Sequence, residues 1–93
     1  MIKHTSETSK GRFFIEDDQG EVLAEMTYSQ AGSDKIIIDH TQVSVTLKGQ
    51  GVGKRLVLAA VEQARQEGLK VIPLCTFAKS IFDKNQNLQD VLF

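Results

Sequence analysis

The sequence has no tryptophan, one proline and one cysteine among its 93 residues. The single cysteine, Cys75, excludes an internal disulfide, and such sparing use of cysteine is typical of intracellular proteins, so we expect a cytoplasmic location. No apolar run approaches the roughly 20 residues that a transmembrane helix needs. The segment Met1–Lys10 is polar and lacks the apolar core of a secretory signal. We therefore expect no membrane partner.

An excess of charge of one sign is also missing, because the formal net charge is −1 and the pI is about 6.1. Proteins that bind nucleic acid through its phosphates usually carry a strongly basic surface, so we expect no nucleic-acid partner. Hydrophobic residues make up 41% of the chain and charged residues 25%, as in an ordinary globular domain. A chain of this size buries only about 60–65% of its unfolded surface, which favours a ligand cleft over an enclosed cavity.

The first half of the chain is rich in β-branched and aromatic residues. It predicts strands over Gly11–Glu16, Glu21–Ser29 and Lys35–Val45, separated by glycine-containing turns, and hence an antiparallel meander. The first ten residues are expected to be flexible, with Ile2 as the candidate start of an edge strand. The length predicts one domain over residues 1–93.

The hydrophobic period changes in the second half. Apolar residues at helical spacing predict a helix over Gly51–Gly68, with Gly68 ending it. A strand over Lys70–Cys75 would then pair parallel to the strand before that helix, and Thr76 would cap a second helix over Phe77–Asn85. The predicted fold is mixed α/β (α+β): an antiparallel β-meander, a loop and helix, a parallel-paired strand and a C-terminal helix. The tail after this helix is ambiguous.

The segment Lys48-Gly49-Gln50-Gly51-Val52-Gly53-Lys54-Arg55, here called the glycine loop, lies between a predicted strand and a predicted helix. Three alternating glycines allow a tight turn and leave no side chain between a ligand and the main chain. The free N–H groups and the dipole at the start of a helix attract anions. The loop therefore favours phosphate binding, although a glycine-rich loop can also serve only to connect a strand to a helix.

Two familiar phosphate-binding patterns do not match the glycine loop. A Walker loop needs Gly, four residues and Gly-Lys-Ser/Thr, but Lys48 stands at the first glycine position and Arg55 at the hydroxyl position. A dinucleotide fingerprint, Gly-x-Gly-x-x-Gly, also fails, because counting from Gly49 or Gly51 leads to Lys54 or Leu56.

The segment Lys48–Gly53 resembles the acetyl-coenzyme A loop of the GNAT N-acetyltransferase superfamily, Gln/Arg-x-x-Gly-x-Gly/Ala, with Lys48 at the first place. The element order and the segments His40–Val43 and Val71–Cys75 resemble a minimal branch of that superfamily with roughly ninety residues. The resemblance covers the chain from about Gly11 to Asn85. It implies acetyl-coenzyme A as the cofactor.

The resemblance also implies which residues contact the coenzyme. Main-chain groups of the strand before the loop would bind the pantetheine arm, and loop amides would bind the diphosphate. The strand before the helix and the strand after it would separate, and the thioester would lie between them. The family usually has a proline or a bulge near residues 44–45, where this chain has no proline. The implied binding residues are Val43, Ser44, Val45, Lys48, Gly49, Gln50, Gly51, Val52, Gly53 and Lys54.

Cys75 and His40 are the candidate catalytic residues. Cys75 would lie just before a helix, whose N-terminus stabilises a thiolate, so it could accept an acetyl group; it could equally be a small buried apolar residue. His40, with Asp39 and Thr41 expected on the opposite face of the strand, could deprotonate the amine or Cys75, or could be merely exposed. His4 is expected to have no function. No cluster of residues matches a metal site.

Three functional hypotheses follow. The first is an acetyl-coenzyme A-dependent N-acetyltransferase that acts on a small-molecule or peptide amine. The second is a non-catalytic acyl-coenzyme A sensor, because the N-terminal helices with which larger GNAT enzymes build the acceptor site are not recognised in this sequence. The third is an interaction domain whose glycine loop is only structural. We expect a monomer or a weak homodimer through an exposed strand edge.

Overall fold

The computed structural model describes all residues, Met1–Phe93, and its centre is a five-stranded sheet. The strands lie in chain order across the sheet: β1 Lys3–Ser6, β2 Lys10–Glu16, β3 Val22–Ala31, β4 Lys35–Val43 and β5 Lys70–Pro73. The first four are antiparallel neighbours, and β5 is parallel to β4. The predicted α+β fold, with its meander and its parallel last strand, is confirmed.

Two α-helices and two short 3-10 helices complete the fold. They are α1 (Val52–Glu67), α2 (Thr76–Lys84) and the 3-10 turns Val45–Leu47 and Gln86–Val91. The helices and one face of the sheet share a single core of 19 buried apolar residues. The opposite face of the sheet, here called the bare face, carries no helix. No helix has both the length and the hydrophobicity that crossing a bilayer requires.

The helix α1 forms where the apolar period predicts it. Its buried stripe includes Leu56, Val57 and Val61, each at most 1% exposed, and burying one such side chain stabilises the fold by about 1.5–3 kcal/mol. Gly51 and Gly68, at its two ends, both have left-handed backbone angles, which glycine adopts without steric cost. The predicted stop at Gly68 is confirmed.

The expected flexibility of the first ten residues is wrong for Lys3–Ser6, which form the edge strand β1. The His4 ring stacks on Phe13 with a centroid distance of 4.2 Å, and its Nε2 lies 2.6 Å from the Tyr28 hydroxyl. Gly11 permits this arrangement, because a Cβ at that position would lie 2.4 Å from the Tyr28 ring. These aromatic contacts hold a polar segment on the sheet.

The predicted boundaries around the site need two corrections. β4 ends at Val43, two residues early, because the Ser44 hydroxyl accepts a hydrogen bond from the Thr46 amide at 3.3 Å and starts a 3-10 turn. Similarly, β5 ends at Pro73 and α2 begins at Thr76, so the residue at the N-cap of α2 is Cys75 and not Thr76.

Candidate functional site

The strands β4 and β5 separate halfway along β4. Their parallel pairing runs from Lys35 opposite Lys70 to Ile38 opposite Pro73 and stops there. The amide of Cys75 donates the last hydrogen bond between the two segments, to the Ile38 carbonyl at 3.1 Å. Beyond it, residues 40–43 pair only with β3, on the other side. This leaves a gap between the end of β4 and the start of α2, here called the strand opening, as the resemblance implied.

A β-bulge lies where the strands separate. On β3, Tyr28 is opposite Ile38 and Thr27 is opposite His40, so Asp39 is an extra residue without a partner. Such an insertion shifts the alternation of side chains by one position. Asp39 and His40 therefore both face the bare face of the sheet. The expectation that Asp39 lies opposite to His40 is wrong.

The same shift returns Thr41 to the helix-covered face, where it lies opposite the fully buried Met26. The bulge thus occurs five residues upstream of the place where the family usually has a proline or a bulge. A side chain on β4 and a thiol at the start of α2 meet as a result: the Sγ of Cys75 lies 3.6 Å from the Oγ1 of Thr41. Cys75 is half-buried beside the strand opening.

The surroundings of Cys75 favour its thiolate. Burial raises the pKa of the thiol. The thiol makes no capping hydrogen bond to the helix. The thiolate, however, is stabilised by hydrogen bonds from the Ala78 amide, the Thr41 hydroxyl and the Phe77 amide, and together these lower the pKa by more than burial raises it. The pKa of Cys75 consequently lies below the ordinary value of 9.0. This sulfur suits nucleophilic attack better than an ordinary buried cysteine does.

His40 and Cys75 lie on opposite sides of the sheet. His40 is exposed on the bare face, whereas the Cys75 sulfur lies beside Thr41 on the helix-covered face. The structure therefore does not bring His40 to Cys75 as a base. It leaves His40 available only to a molecule that approaches from the bare face.

The glycine loop exposes main-chain donors at the start of α1. Gly49 and Gly51 have φ angles of 82° and 71°, and no atom lies within 4 Å of the position where either would carry a Cβ. The amides at five positions make no hydrogen bond within the protein: Gly49, Gly51, Val52, Gly53 and Lys54. Free amides in this number at a helix start form an anion site.

Three of the implied binding residues use their amides elsewhere. The Ser44 amide donates to the Leu23 carbonyl at 2.7 Å, which makes it unavailable to a pantetheine arm. The Lys48 amide donates to the Val45 carbonyl at 3.2 Å, and the Gln50 amide to the Leu47 carbonyl at 3.3 Å. In addition, Val45 has left the strand and is 82% exposed. Ser44 and Val45 therefore lie outside the strand β4, contrary to the expectation that they belong to it.

A surface pocket of about 310 Å³, here called the loop pocket, adjoins the free amides. Seven of the ten implied binding residues line it: Val43, Lys48, Gly49, Gly51, Val52, Gly53 and Lys54. Sequence reasoning missed the other three lining residues, Leu47, Phe77 and Ile81. The only signal for Phe77 and Ile81 is helical spacing, which indicated a core face for α2 rather than the wall of a pocket, and Leu47 has no signal.

Gly53 has a packing role as well. A Cβ at this position would lie 2.6 Å from the Cζ of Phe77, so the ring of α2 packs directly against the backbone of α1. Phe77 is 40% exposed and forms part of the pocket wall. The third glycine of the loop therefore shapes the pocket by admitting a ring.

Three cations belong to the same loop as the free amides. Lys48, Lys54 and Arg55 are all exposed, and none of the six ion pairs in the protein engages them. Uncompensated positive charge beside free amides favours a ligand that carries more than one negative charge.

Comparisons with known proteins agree with this geometry. A family profile described as GCN5-related N-acetyl-transferase matches residues 12–91. The solution structure of a protein from Staphylococcus aureus, assigned as a GCN5-like N-acetyltransferase, is 46% identical in sequence. That match covers 100% of this chain and 87% of the other, with a TM-score of 0.77. No sequence among the curated proteins matches this chain.

Two more distant structures share the fold and contain a ligand. An Escherichia coli N-acetyltransferase in complex with coenzyme A is 19% identical, with a TM-score of 0.57; the match covers 66% of this chain and 37% of that one. A Bacillus anthracis protein in complex with acetyl coenzyme A, assigned as a streptothricin acetyltransferase, is 15% identical, with a TM-score of 0.57 over 70% of this chain and 38% of that one.

The family profile spans most of the chain, and the order of the strands and helices agrees with it. The chain belongs to the GCN5-related N-acetyltransferase family, whose members are acetyl-coenzyme A-dependent acyltransferases.

Proposed function

We propose that this protein binds acetyl-coenzyme A at the glycine loop and transfers the acetyl group to an amine by way of Cys75. One observation supports the proposal above all others: five adjacent or nearly adjacent amides at the start of α1 lack an acceptor, and a pocket adjoins them. A diphosphate offers several acceptor oxygens and a multiple negative charge, which match these donors and the cations around them.

The chemistry of the loop pocket fits the rest of the coenzyme. Its walls include Leu47, Phe77 and Ile81, which suit the aliphatic part of a pantetheine arm. Val43 is the last residue of β4 and lines the same pocket. Because β5 has ended, the main-chain groups of Val43 that point away from β3 have no strand partner and are available to the amides of the arm.

Cys75 carries the proposed transfer. Acetyl-coenzyme A, as the acyl donor, supplies an activated thioester carbonyl. The Cys75 thiolate, stabilised at the start of α2, attacks that carbonyl and takes the acetyl group onto Sγ. The bond between the carbonyl carbon and the coenzyme sulfur breaks, and coenzyme A leaves as a thiolate that takes a proton from solvent. The acceptor amine then takes the acetyl group and the sulfur returns to the thiolate. His40 on the bare face takes the proton that the incoming ammonium must lose.

Intact-mass analysis tests the covalent step. Protein incubated with acetyl-coenzyme A in the absence of an amine is expected to gain about 42 Da, the mass of one acetyl group, on Cys75. The Cys75→Ala variant, which keeps the glycine loop, should bind the coenzyme without a gain in mass. Binding without an adduct in the unmodified protein would favour direct transfer or a non-catalytic acyl-coenzyme A sensor. No binding at all would favour a loop with only a structural role.

A further inference from the structure

The bare face of the sheet carries a polar groove of about 590 Å³, here called the outer groove. It crosses β1 to β4, and Tyr28 is the only apolar residue among the ten that line it. Its lining includes the hydroxyl-bearing residues Thr5 on β1 and Thr27 and Ser29 on β3. The groove reaches β4 at Asp39, the bulged residue.

The loop pocket and the outer groove lie on opposite sides of the strand opening. The loop pocket is bounded by α1 and α2, which cover the core face of the sheet. Asp39 is the first residue after Ile38, at which the pairing of β4 with β5 stops. A molecule in the outer groove can therefore reach the opening from the side that the coenzyme does not occupy. The bulge also places His40 on that side.

Asp39 differs from the charged residues near it on the bare face because it has no ion-pair partner. Arg12 pairs with Glu25 at 2.6 Å, and Lys3 pairs with Glu16 at 2.5 Å. Asp39 has no cationic partner; its Oδ2 accepts one hydrogen bond, from the Ser29 hydroxyl at 2.6 Å.

The remaining free charges of the groove lie at its far end. Glu7 and Lys10 flank the turn from β1 to β2, where the Glu7 amide donates to the Lys10 carbonyl at 2.7 Å. Their charges are opposite and offset one another. The end of the groove beside the opening thus has one uncompensated charge, and it is negative.

We propose that the outer groove is the acceptor site and that Asp39 binds the ammonium group of a small, positively charged primary amine that also carries hydroxyl groups. This inference rests on the proposed acyl transfer. The hydroxyl-rich lining and the negative charge beside the opening define the substrate class, because a carboxylate binds an ammonium more strongly than a neutral amine.

The proposed site also provides a route for the two protons that the ammonium nitrogen loses during acetyl transfer. Asp39 holds the ammonium, His40 takes one proton from it, and the nitrogen lone pair forms a C–N bond to the acetyl carbon on Cys75. The C–S bond breaks, its electron pair returns to the Cys75 sulfur, and the second nitrogen proton leaves to solvent. No other reactant is needed.

A binding experiment tests the site without requiring turnover. 1,3-Diamino-2-propanol is titrated into the ¹⁵N-labelled protein, and amide shifts are followed around Thr27, Ser29 and Asp39. We expect saturable shifts there, and a Kd about tenfold higher in Asp39→Asn, since the charged acceptor of the hydrogen bond from the ammonium is lost. Asp18→Asn, which removes an exposed carboxylate from the turn between β2 and β3, is the matched control and should leave the Kd unchanged.

A kinetic experiment tests whether Asp39 recognises the positive charge of the amine. Release of coenzyme A is measured with the same diamine and with aniline, which is uncharged at neutral pH. Asp39→Asn should raise KM about tenfold for the diamine alone, and the acetyl adduct on Cys75 should form as in the unmodified protein. Equal losses for both amines, or shifts outside the groove, would overturn the assignment of Asp39. If the acetyl adduct on Cys75 did not form, the proposed transfer would be overturned instead. The NMR titration would still show whether the outer groove binds the amine.

Discussion

The Sγ of Cys75 lies 3.6 Å from the Oγ1 of Thr41, although 34 positions separate the two residues in the chain. The contact exists because the bulge at Asp39 turns Thr41 toward the helix-covered face and because β5 ends before Cys75. A thiol at a helix start and a hydroxyl on the diverging strand therefore meet in the strand opening.

Thr41→Val is expected to raise the pKa of Cys75. The Thr41 hydroxyl stabilises the thiolate, and the pKa of the thiol lies below 9.0 with that hydroxyl in place. The rate of alkylation by iodoacetamide is measured as a function of pH. Because only the thiolate reacts, the midpoint of this pH profile is the pKa of Cys75. The unmodified protein should show a midpoint below 9.0, and the variant a higher one.

Thr8→Val, at an exposed position outside the strands, is the control for this change. It removes the same hydroxyl and should leave the alkylation midpoint where it is in the unmodified protein. An unchanged midpoint in Thr41→Val as well would show that the hydroxyl has no part in activating Cys75.

Gly51→Asp is expected to weaken the binding of coenzyme A at least tenfold. The new carboxylate would lie among the free amides and repel a diphosphate, and the left-handed φ of 71° adds strain to any side chain. Gly20→Asp is a matched control: Gly20 has a φ of 82° and open surroundings, but lies in the turn between β2 and β3. Calorimetric titration should show a similar Kd for the control and the unmodified protein. Equal weakening by both substitutions would argue for a general loss of stability.

Gly53→Ala is expected to displace the Phe77 ring. The new methyl group would lie 2.6 Å from the Cζ of that ring. In a double-mutant cycle with Phe77→Ala, measured by urea unfolding, the substitution at Gly53 should be about 1 kcal/mol more favourable when the ring is absent. Additive effects on the free energy of unfolding would mean that the two residues do not restrict each other.

His40→Gln is expected to slow the second half of the reaction only. His40 faces the outer groove and lies away from the Cys75 sulfur. The acetyl adduct on Cys75 should therefore form at the normal rate, whereas its discharge by an amine should slow by about 100-fold, the usual contribution of a general base. Rapid-quench intact-mass measurements resolve the two steps. A slower formation of the adduct would mean that His40 assists the thiol after all.

Local patterns in the sequence predicted much of the fold. The apolar period and the glycines at its ends identified α1, and the change from strand to helix period placed the glycine loop. Residues implied by the family resemblance line most of the loop pocket. These features depend on neighbours in the chain, which a single sequence displays.

Features that depend on register or on distant contacts were not predicted. The bulge at Asp39 arises from how β4 aligns with β3, and β1 is held by His4 against Phe13 and Tyr28 rather than by a hydrophobic pattern. The role of Phe77 depends on its approach to Gly53, 24 positions earlier. Such contacts join elements whose relative placement the sequence does not specify locally.

The account depends on the five free amides at the start of α1, and NMR titration with two ligands tests them most directly. Coenzyme A should shift the amide resonances of Gly49 and residues 51–54 strongly, whereas pantetheine, which has no diphosphate, should shift those near Val43 and Phe77 and leave the loop amides almost unchanged. If coenzyme A binds without moving the loop amides, or moves them no more than pantetheine does, the central claim is contradicted.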